Sequence, residues 1–481
     1  MPSADQPLVA EERSDVSRPL VACVDFGSTF TKAALVDVTT GALVAGASHR
    51  TTIDTDVLDG WDACLAELVA VDPRAADAEV LACSSAGGGL RIAVVGNEEL
   101  VTAEAGRRVA LSSGGRVVHV AHGGLSRDGL ATLRASKPDV VLLVGGTDGG
   151  NAEVLLACAE RIAKARWRGP VVVAGNVDAQ DDVAALLDAA GTPYVLADNV
   201  VPQIGVLAPE SARAAIREMF LAHVIGGKHL SKRADFTAMV RGATPDVVLT
   251  AVELLAHGLD EEHPGAGDVV VVDIGGATTD VHSVVELDPE DAGLARQVVA
   301  TVPVSRTVEG DLGMRWSAVP TVEEGVAAEV VRAEDAERLR TAAAVRRQDP
   351  SYLPAGPDDV ADDTAIAAAA VAVAVRRHAG RQQVVYSPDG RVVERSGKDL
   401  REVDLLVGSG GVLRNNAPDV AARVLGGVVG EAAGGWQLPR EPRVVVDLDY
   451  VLAPAGLLAS RYPEAAHALV TSLTGTSGRL T

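Results

Sequence analysis

Two stretches of this chain break a buried strand in the same way. "VDFGSTFTKAALVD", residues 24–37, runs from apolar residues into an aspartate, a glycine and a cluster of hydroxyl side chains, then resumes as a second apolar strand. "VDIGGATTDVHSVV", residues 272–285, repeats the form in the other half of the chain. A purely structural strand needs no such interruption, whereas a strand that turns sharply beneath a phosphate does. Glycines let the backbone approach an anion closely, and successive N–H groups in the turn form an anion-binding concavity. The Ser and Thr hydroxyls add donors, and Lys32 adds a point charge on the phosphate side. Carboxylates at the strand ends would repel phosphate unless a cation lies between, so Asp25 and Asp273 imply Mg²⁺ held through water. Either stretch alone reads equally as a glycine-containing hairpin; the two together, with a third motif, argue for two like architectural units around one anion.

The third motif is "LLVGSGGVL", residues 405–413. Gly408, Ser409, Gly410 and Gly411 end a strand there and permit flat, close contact with a base and ribose, although an ordinary strand-to-helix turn reads equally well in isolation. The chain holds no G-x-x-x-x-G-K-[ST] and no G-x-G-x-x-G, so neither a P-loop nor a dinucleotide fingerprint is offered.

At 481 residues the chain exceeds one ordinary core. Strand-like runs at 139–146 ("DVVLLVGG"), 170–175 ("PVVVAG") and 193–198 ("PYVLAD") alternate with helical periods such as "AEVLLACAERIAKA" and "ESARAAIREMFLAHVI". Continuous apolar strands between helices argue for a parallel α/β layer buried on both faces. The expected division is a disordered tail over 1–18, a first domain over 19–262 with an α/β insertion, a second over 263–440 with Ala-rich helices at about 323–347 and 363–379, and a closing strand and helix over 441–481. With 66 acidic against 43 basic residues the net charge is −23, which disfavours a nucleic-acid partner. The tail lacks the apolar core of a signal peptide, and no segment approaches the roughly 18 to 20 apolar residues that a membrane helix needs, so no membrane role and a cytoplasmic location are expected. Cys23, Cys64, Cys83 and Cys158 are scattered, with no C-x-x-C, and read as buried thiols. His119 and His122 form an H-x-x-H with no third ligand in view. "VGGTDGGN", residues 144–151, reads either as a polar cap near a cleft, through Asp148 and Asn151, or as a turn in which those residues cap a helix.

Taken in order, the three motifs resemble those of the superfamily of actin, sugar kinases and heat-shock ATPase chaperones, whose members have two ribonuclease-H-like domains facing across a nucleotide cleft. The resemblance implies ATP and Mg²⁺. It places Asp25 and Asp273 at the metal and the attacking water, and Gly27, Ser28, Thr29, Thr31 and Lys32 at the phosphates from one side. Gly275, Gly276, Thr278 and Thr279 face them from the other, Asp280 closes the second loop, and "RTVEGDLGMR" (306–315) takes the position of the loop that follows the second phosphate motif, where Gly310 and Gly313 approach the nucleotide. The glutamate that heat-shock chaperones carry before their second loop falls on Leu249 when Gly258 is matched, with Glu253 one turn away. The general base is therefore open, and slow hydrolysis is expected.

At finer scale, from about 20 to 460, the chain resembles the glutamate-mutase-associated MutL/GlmL family, through "DFGSTFTK", "KPDVVLLVGGTDGGN", "DNVVPQIG", "DIGGATTDVHSV" and "SRTVEGDLGMR". That family shares only its name with mismatch-repair MutL. The resemblance implies an ATP-dependent, chaperone-like reactivating factor for an adenosylcobalamin-dependent carbon-skeleton mutase, whose subunits would be the partner. Two rivals stand beside it: a small-molecule kinase on the same fold, for which no acceptor loop is evident, and a self-assembling actin-like structural protein.

Overall fold

The computed structural model describes residues 19–286, 302–387 and 390–475; the tail expected over 1–18 lies outside them. The chain opens with β1 (Leu20–Phe26), β2 (Phe30–Asp37) and β3 (Ala42–Arg50), a helix at Val57–Val71, and β4 (Glu79–Ser84). Next come β5 (Leu90–Val95), β6 (Gly115–Ala121), β7 (Val140–Leu143), β8 (Val171–Val173) and β9 (Tyr194–Leu196) with helices between them, then β10 (Val240–Ala243) and the helix Thr244–His257. The other half begins with β11 (Val269–Ile274), β12 (Thr279–Val284) and β13 (Val304–Glu309), followed by helices Ala318–Ala327, Ala336–Gln348 and Pro357–His378. A hairpin, β14 (Arg381–Ser387) and β15 (Gly390–Ser396), leads to β16 (Leu405–Ser409), β17 (Arg443–Val446) and the helices Leu452–Leu458 and Pro463–Thr471.

The repeat visible in the sequence is a repeat of topology. One sheet runs β3-β2-β1-β4-β10 and another β13-β12-β11-β16-β17. In each, the first three strands form an antiparallel meander and the last two add in parallel. Tight turns suffice for the meander; the parallel strands need crossovers, and the helices supply them. This is the ribonuclease-H-like order, and two such sheets facing each other make the actin-like ATPase fold.

Strand alternation sets what each face meets. From β1, Leu20, Ala22, Val24 and Phe26 pack toward the Val57–Val71 helix, while Val21 and Cys23 point the other way. From β11, Val270, Val272 and Ile274 pack toward the Pro357–His378 helix, while Val269 and Val271 join Val21 and Cys23 in a shared core. The helices Thr244–His257 and Leu452–Leu458 fill that core and pack on one another. Both sheets are thus covered on both faces, which is why β1 and β11 read as unbroken apolar runs. Asp25 and Asp273 sit at the carboxyl ends of those strands, on the side that faces the shared core.

A third sheet, all parallel in the order β6-β5-β7-β8-β9, is inserted between β4 and β10. Three expectations change. The Ala-rich stretch at 323–347 is two helices, broken between Ala327 and Ala336. Arg306–Glu309, expected in a loop, belong to β13 and pair with β12 as β3 pairs with β2. The segment from 441 onward supplies the fifth strand of the second sheet and part of the shared core. All four cysteines are free and buried, and among the described residues no helix is long and apolar enough to cross a membrane.

Candidate functional site

The two interrupted strands turn identically. Gly27 N donates to Phe30 O at 3.1 Å, and Gly275 N to Thr278 O at 2.8 Å. A Cβ on Gly27 would stand 2.6 Å from Phe30 O, and one on Gly275 would stand 2.9 Å from Thr278 O, so both turns admit only glycine. The registers match as well: Asp25 faces Lys32, and Asp273 faces Asp280. The first turn therefore presents a carboxylate with a cation, the second a carboxylate with another carboxylate.

The tips of the two turns meet. A Cβ on Gly276 would lie 3.2 Å from Thr29 Oγ1, a buried hydroxyl with no hydrogen-bond partner. Ser28 is exposed beside it. Residues 314–316 clamp the second turn from outside: Met314 N donates to Gly275 O at 3.0 Å, and Arg315 N and Trp316 N to Gly276 O at 2.8 and 2.9 Å. Gly313 supports this clamp, since a Cβ there would be 2.7 Å from the Ala277 carbonyl carbon. Gly310 lies beside the turn: Glu309 pairs with Thr279, and the Ser317 hydroxyl bridges Gly310 O and Ala277 O at 3.0 and 2.7 Å, while a side chain on Gly310 would meet Arg116 of the inserted sheet.

Thr31 and Thr279 also depart from expectation. Each is fully buried on the strand face opposite Lys32 and Asp280. Thr31 Oγ1 lies 3.4 Å from Thr51 Oγ1, beneath the Val57–Val71 helix, and Thr279 Oγ1 has no partner. Period-two alternation explains both: neighbours in a strand cannot point to the same side. Thr278 stays on the near side, its hydroxyl 3.4 Å from Asp280 Oδ2.

The third motif closes against the second turn. Ser409 pairs in register with Asp273 and is buried. Gly410, at φ +118°, starts the short helix Gly411–Arg414, and a Cβ on it would run into the Ile274 carbonyl. Gly408 is packed by Leu413 and Leu425, whereas Gly411 is exposed.

Asp25, 4 % exposed, forms the floor. Its Oδ1 accepts from Thr244 Oγ1 at 2.5 Å and from Cys83 Sγ at 3.6 Å; its Oδ2 accepts from the Tyr450 hydroxyl at 2.6 Å. Lys32 Nζ stands 4.0 Å from that second oxygen and 3.8 Å from the Tyr450 ring centroid, and Arg414 covers the same ring at 5.4 Å. Tyr450 has φ +56°, a left-handed conformation. Such a backbone costs an L-residue roughly 1–2 kcal/mol. Burial, with Asp25 and Asp273 nearby, pushes its phenol well above the ordinary range, so it remains a donor.

Burial also raises Asp273; Lys32 opposes the rise, Asp280 and Asp25 add to it, and Ser409 pulls it back. Asp447, fully buried at the end of β17, accepts from Val451 N at 2.8 Å and Leu452 N at 3.4 Å. Burial pushes it to about 6, against those two N–H groups and Arg414 and with the help of Asp273. Asp280 Oδ1 accepts from Arg306 Nη2 at 2.9 Å.

Thr244, Arg414, Asp447 and Tyr450 were not singled out by any motif. Only Asp447 left a trace, in "VVVDLD", an apolar strand running into aspartate. Leu249 is fully buried within its helix, and Glu253 pairs with Arg213 at 2.8 Å, so neither takes a base's place; the helix start brings Thr244 to Asp25 instead. Away from the cleft, Asn151 Oδ1 caps the next helix through Glu153 N at 2.7 Å, and Asp148 Oδ1 accepts from Asn199 at 2.8 Å, which is the capping reading of "VGGTDGGN". Among the described residues no three His, Cys, Asp or Glu side chains, His119 and His122 included, cluster to hold a metal ion directly.

A family model described as MutL protein matches residues 21–473. Protein MutL of Clostridium tetanomorphum is 35% identical over 447 residues, covering 92% of this chain and 96% of that protein. Among solved structures, the activator of the 2-hydroxyisocaproyl-CoA dehydratase from Clostridium difficile with bound ADPNP is 11% identical, covers 93% of this chain and 95% of its own, and has a TM-score of 0.31. Nucleotide-free acetone carboxylase is 16% identical with a TM-score of 0.31, over 62% of this chain and 49% of that one, about half its length. The fold rests on strand order rather than on these distant structures. The kinship rests on sequence matched from the first strand to the closing helices, and by that match the chain belongs to the MutL protein family.

Proposed function

We propose that the cleft binds ATP with Mg²⁺, and that the chain is an ATP-dependent, chaperone-like accessory protein that reactivates or maintains an adenosylcobalamin-dependent carbon-skeleton mutase such as glutamate mutase. The observation that carries the nucleotide reading is the meeting of two glycine turns from separate sheets around an unpartnered buried hydroxyl, Thr29 Oγ1. Ser28, Thr29, Lys32, Gly276 and Thr278 are the donors that would hold phosphate, with Gly27 and Gly275 shaping the turns. Ser409, Gly410 and Gly411 would meet the base and ribose. Asp25 and Asp273, too few to hold an ion alone, suit one gripped through water. Mg²⁺, when bound, would neutralise phosphate charge. Asp273, held above its ordinary range by burial, is the carboxylate suited to take a proton from water. With Leu249 and the paired Glu253 offering no further base, turnover would be slow.

What supports the mutase as partner is the resemblance to the mutase-associated family, together with kinship to Protein MutL. The physical link is the cleft. Each phosphate turn belongs to a different sheet, so loss of the γ-phosphate removes contacts from one side and shifts the preferred angle between them. That shift acts on a partner only as far as the partner's affinity differs between the states. A tenfold difference corresponds to about 1.4 kcal/mol. The test is to let a mutase inactivate, then add fresh adenosylcobalamin, Mg-ATP and this protein. Recovery that needs ATP, and that fails with Asp273→Ala, is expected. Equal recovery without ATP, or phosphorylation of a small metabolite instead, would overturn the proposal.

A further inference from the structure

Asp25 and Lys32 are a cross-strand pair of opposite charge, yet their charged atoms stand 4.0 Å apart rather than hydrogen-bonded. What separates them is a side chain from the other half of the molecule. The Tyr450 hydroxyl occupies Asp25 Oδ2 at 2.6 Å, the oxygen nearest the lysine. The face of the same ring seats the Lys32 ammonium at 3.8 Å. Thr244 takes the other oxygen at 2.5 Å. Both short contacts come from neutral hydroxyls, so they fix the orientation of the carboxylate without bringing a compensating cation to it. The left-handed backbone at Tyr450, φ +56°, is what delivers the ring between β1 and the helix that follows β17. Such a conformation persists only where the surroundings over-determine it, and here the Asp25 and Lys32 contacts of the ring do so.

We propose that Tyr450 is a positioning residue that keeps Asp25 and Lys32 from neutralising one another, leaving the carboxylate to metal-bound water and the ammonium to phosphate. The proposal rests on the nucleotide reading above. Without the hydroxyl, Oδ2 is vacant and Lys32 is the nearest donor to it. Because Asp25 and Tyr450 belong to different halves, the separation also lasts only while the halves are docked.

The test is a Mg²⁺ titration of fluorescent N-methylanthraniloyl-ADP binding at fixed nucleotide, with the unaltered chain, Tyr450→Phe, Lys32→Met and the double variant. Tyr450→Phe should raise the Mg²⁺ midpoint about 10-fold, as loss of a partner behind a metal-side ligand does. The same substitution should change nothing further in the Lys32→Met background, where no ammonium competes for Asp25; a merely structural tyrosine would act equally in both. Tyr450→Met, which fills the site without ring or hydroxyl, gives a second reading of the midpoint if Tyr450→Phe folds poorly, and should raise it at least as far. An unchanged midpoint in the tyrosine variants, or an equal rise with and without Lys32, overturns the proposal while leaving nucleotide binding intact. No binding of the analogue by the unaltered chain overturns both.

Discussion

Asp447 is the residue whose chemistry in the cleft depends most plainly on pH. Burial lifts its folded value to about 6 from the usual 3.8. The folded chain therefore holds this proton more tightly than the unfolded one, and the stability it contributes, on the order of 3 kcal/mol, is present below about pH 4 and lost as pH rises to about 6. Asp447→Asn keeps an acceptor for Val451 N and removes the titration. Urea unfolding between pH 4 and 7 should show the variant gaining on the unaltered chain through that window and level with it in slope above it; parallel curves throughout would refute the assignment. Gly276 makes a second residue-scale prediction. A single Cβ there already stands 3.2 Å from Thr29 Oγ1, so the branched side chain of Gly276→Val would fill the space between the turns. Calorimetry should detect no Mg-ATP binding by this variant, and affinity equal to the unaltered chain would mean that phosphate does not enter there. Both glycines of the turns were legible in sequence because only glycine allows the approach. Thr31 and Thr279 were misread because a hydroxyl in a motif says nothing of which strand face carries it.

At the scale of elements, the third motif owes its shape to one backbone angle. Gly410 sits at φ +118° against the Ile274 carbonyl, joining the end of β16 to the end of β11. Gly410→Ala is strained twice, by the angle and by the contact, and should destabilise the chain by more than about 1 kcal/mol in chemical denaturation. Loss of nucleotide affinity is expected with it; a variant as stable as the parent would show that the turn relaxes freely. The strands β1, β2, β11 and β12 were readable because each is buried on both faces and bounded by turn residues. β13 was not, since its first residues, Val304 to Arg306, mix apolar and polar side chains at a half-buried edge of the sheet. Nor was the break in the Ala-rich stretch, where helix propensity stays high through Ala327 and Ala328. Glu329 adopts φ +56° there, and the chain turns back so that Val331 packs against Gly325.

Across the whole molecule, one buried cation ties the inserted sheet to the second phosphate turn. Arg306, 4 % exposed, donates to Asp280 at 2.9 Å and to the carbonyls of Leu111 and Gly115 at 3.0 and 3.4 Å. Arg306→Met would leave Asp280 without its cation and take one donor from each of two carbonyls, of which Leu111 O keeps Gly114 N, at a cost of about 3–5 kcal/mol. Hydrogen exchange should rise at both Leu111–Gly115 and Thr279–Val284; a rise on one side alone would show that the arginine does not couple them. The sequence by itself determined the duplication, the glycine turns and the carboxylate at each strand end, because these are local demands: a tight turn excludes side chains, and a strand buried on both faces must be apolar. Only the tertiary structure decided what surrounds Asp25. Thr244 and Tyr450 reach it across 219 and 425 residues of chain, one from the start of a helix and the other from just before another. Such a constellation leaves no spacing in the chain, since it is set by how two sheets and the helices between them pack, and packing is a relation between segments that no single segment carries.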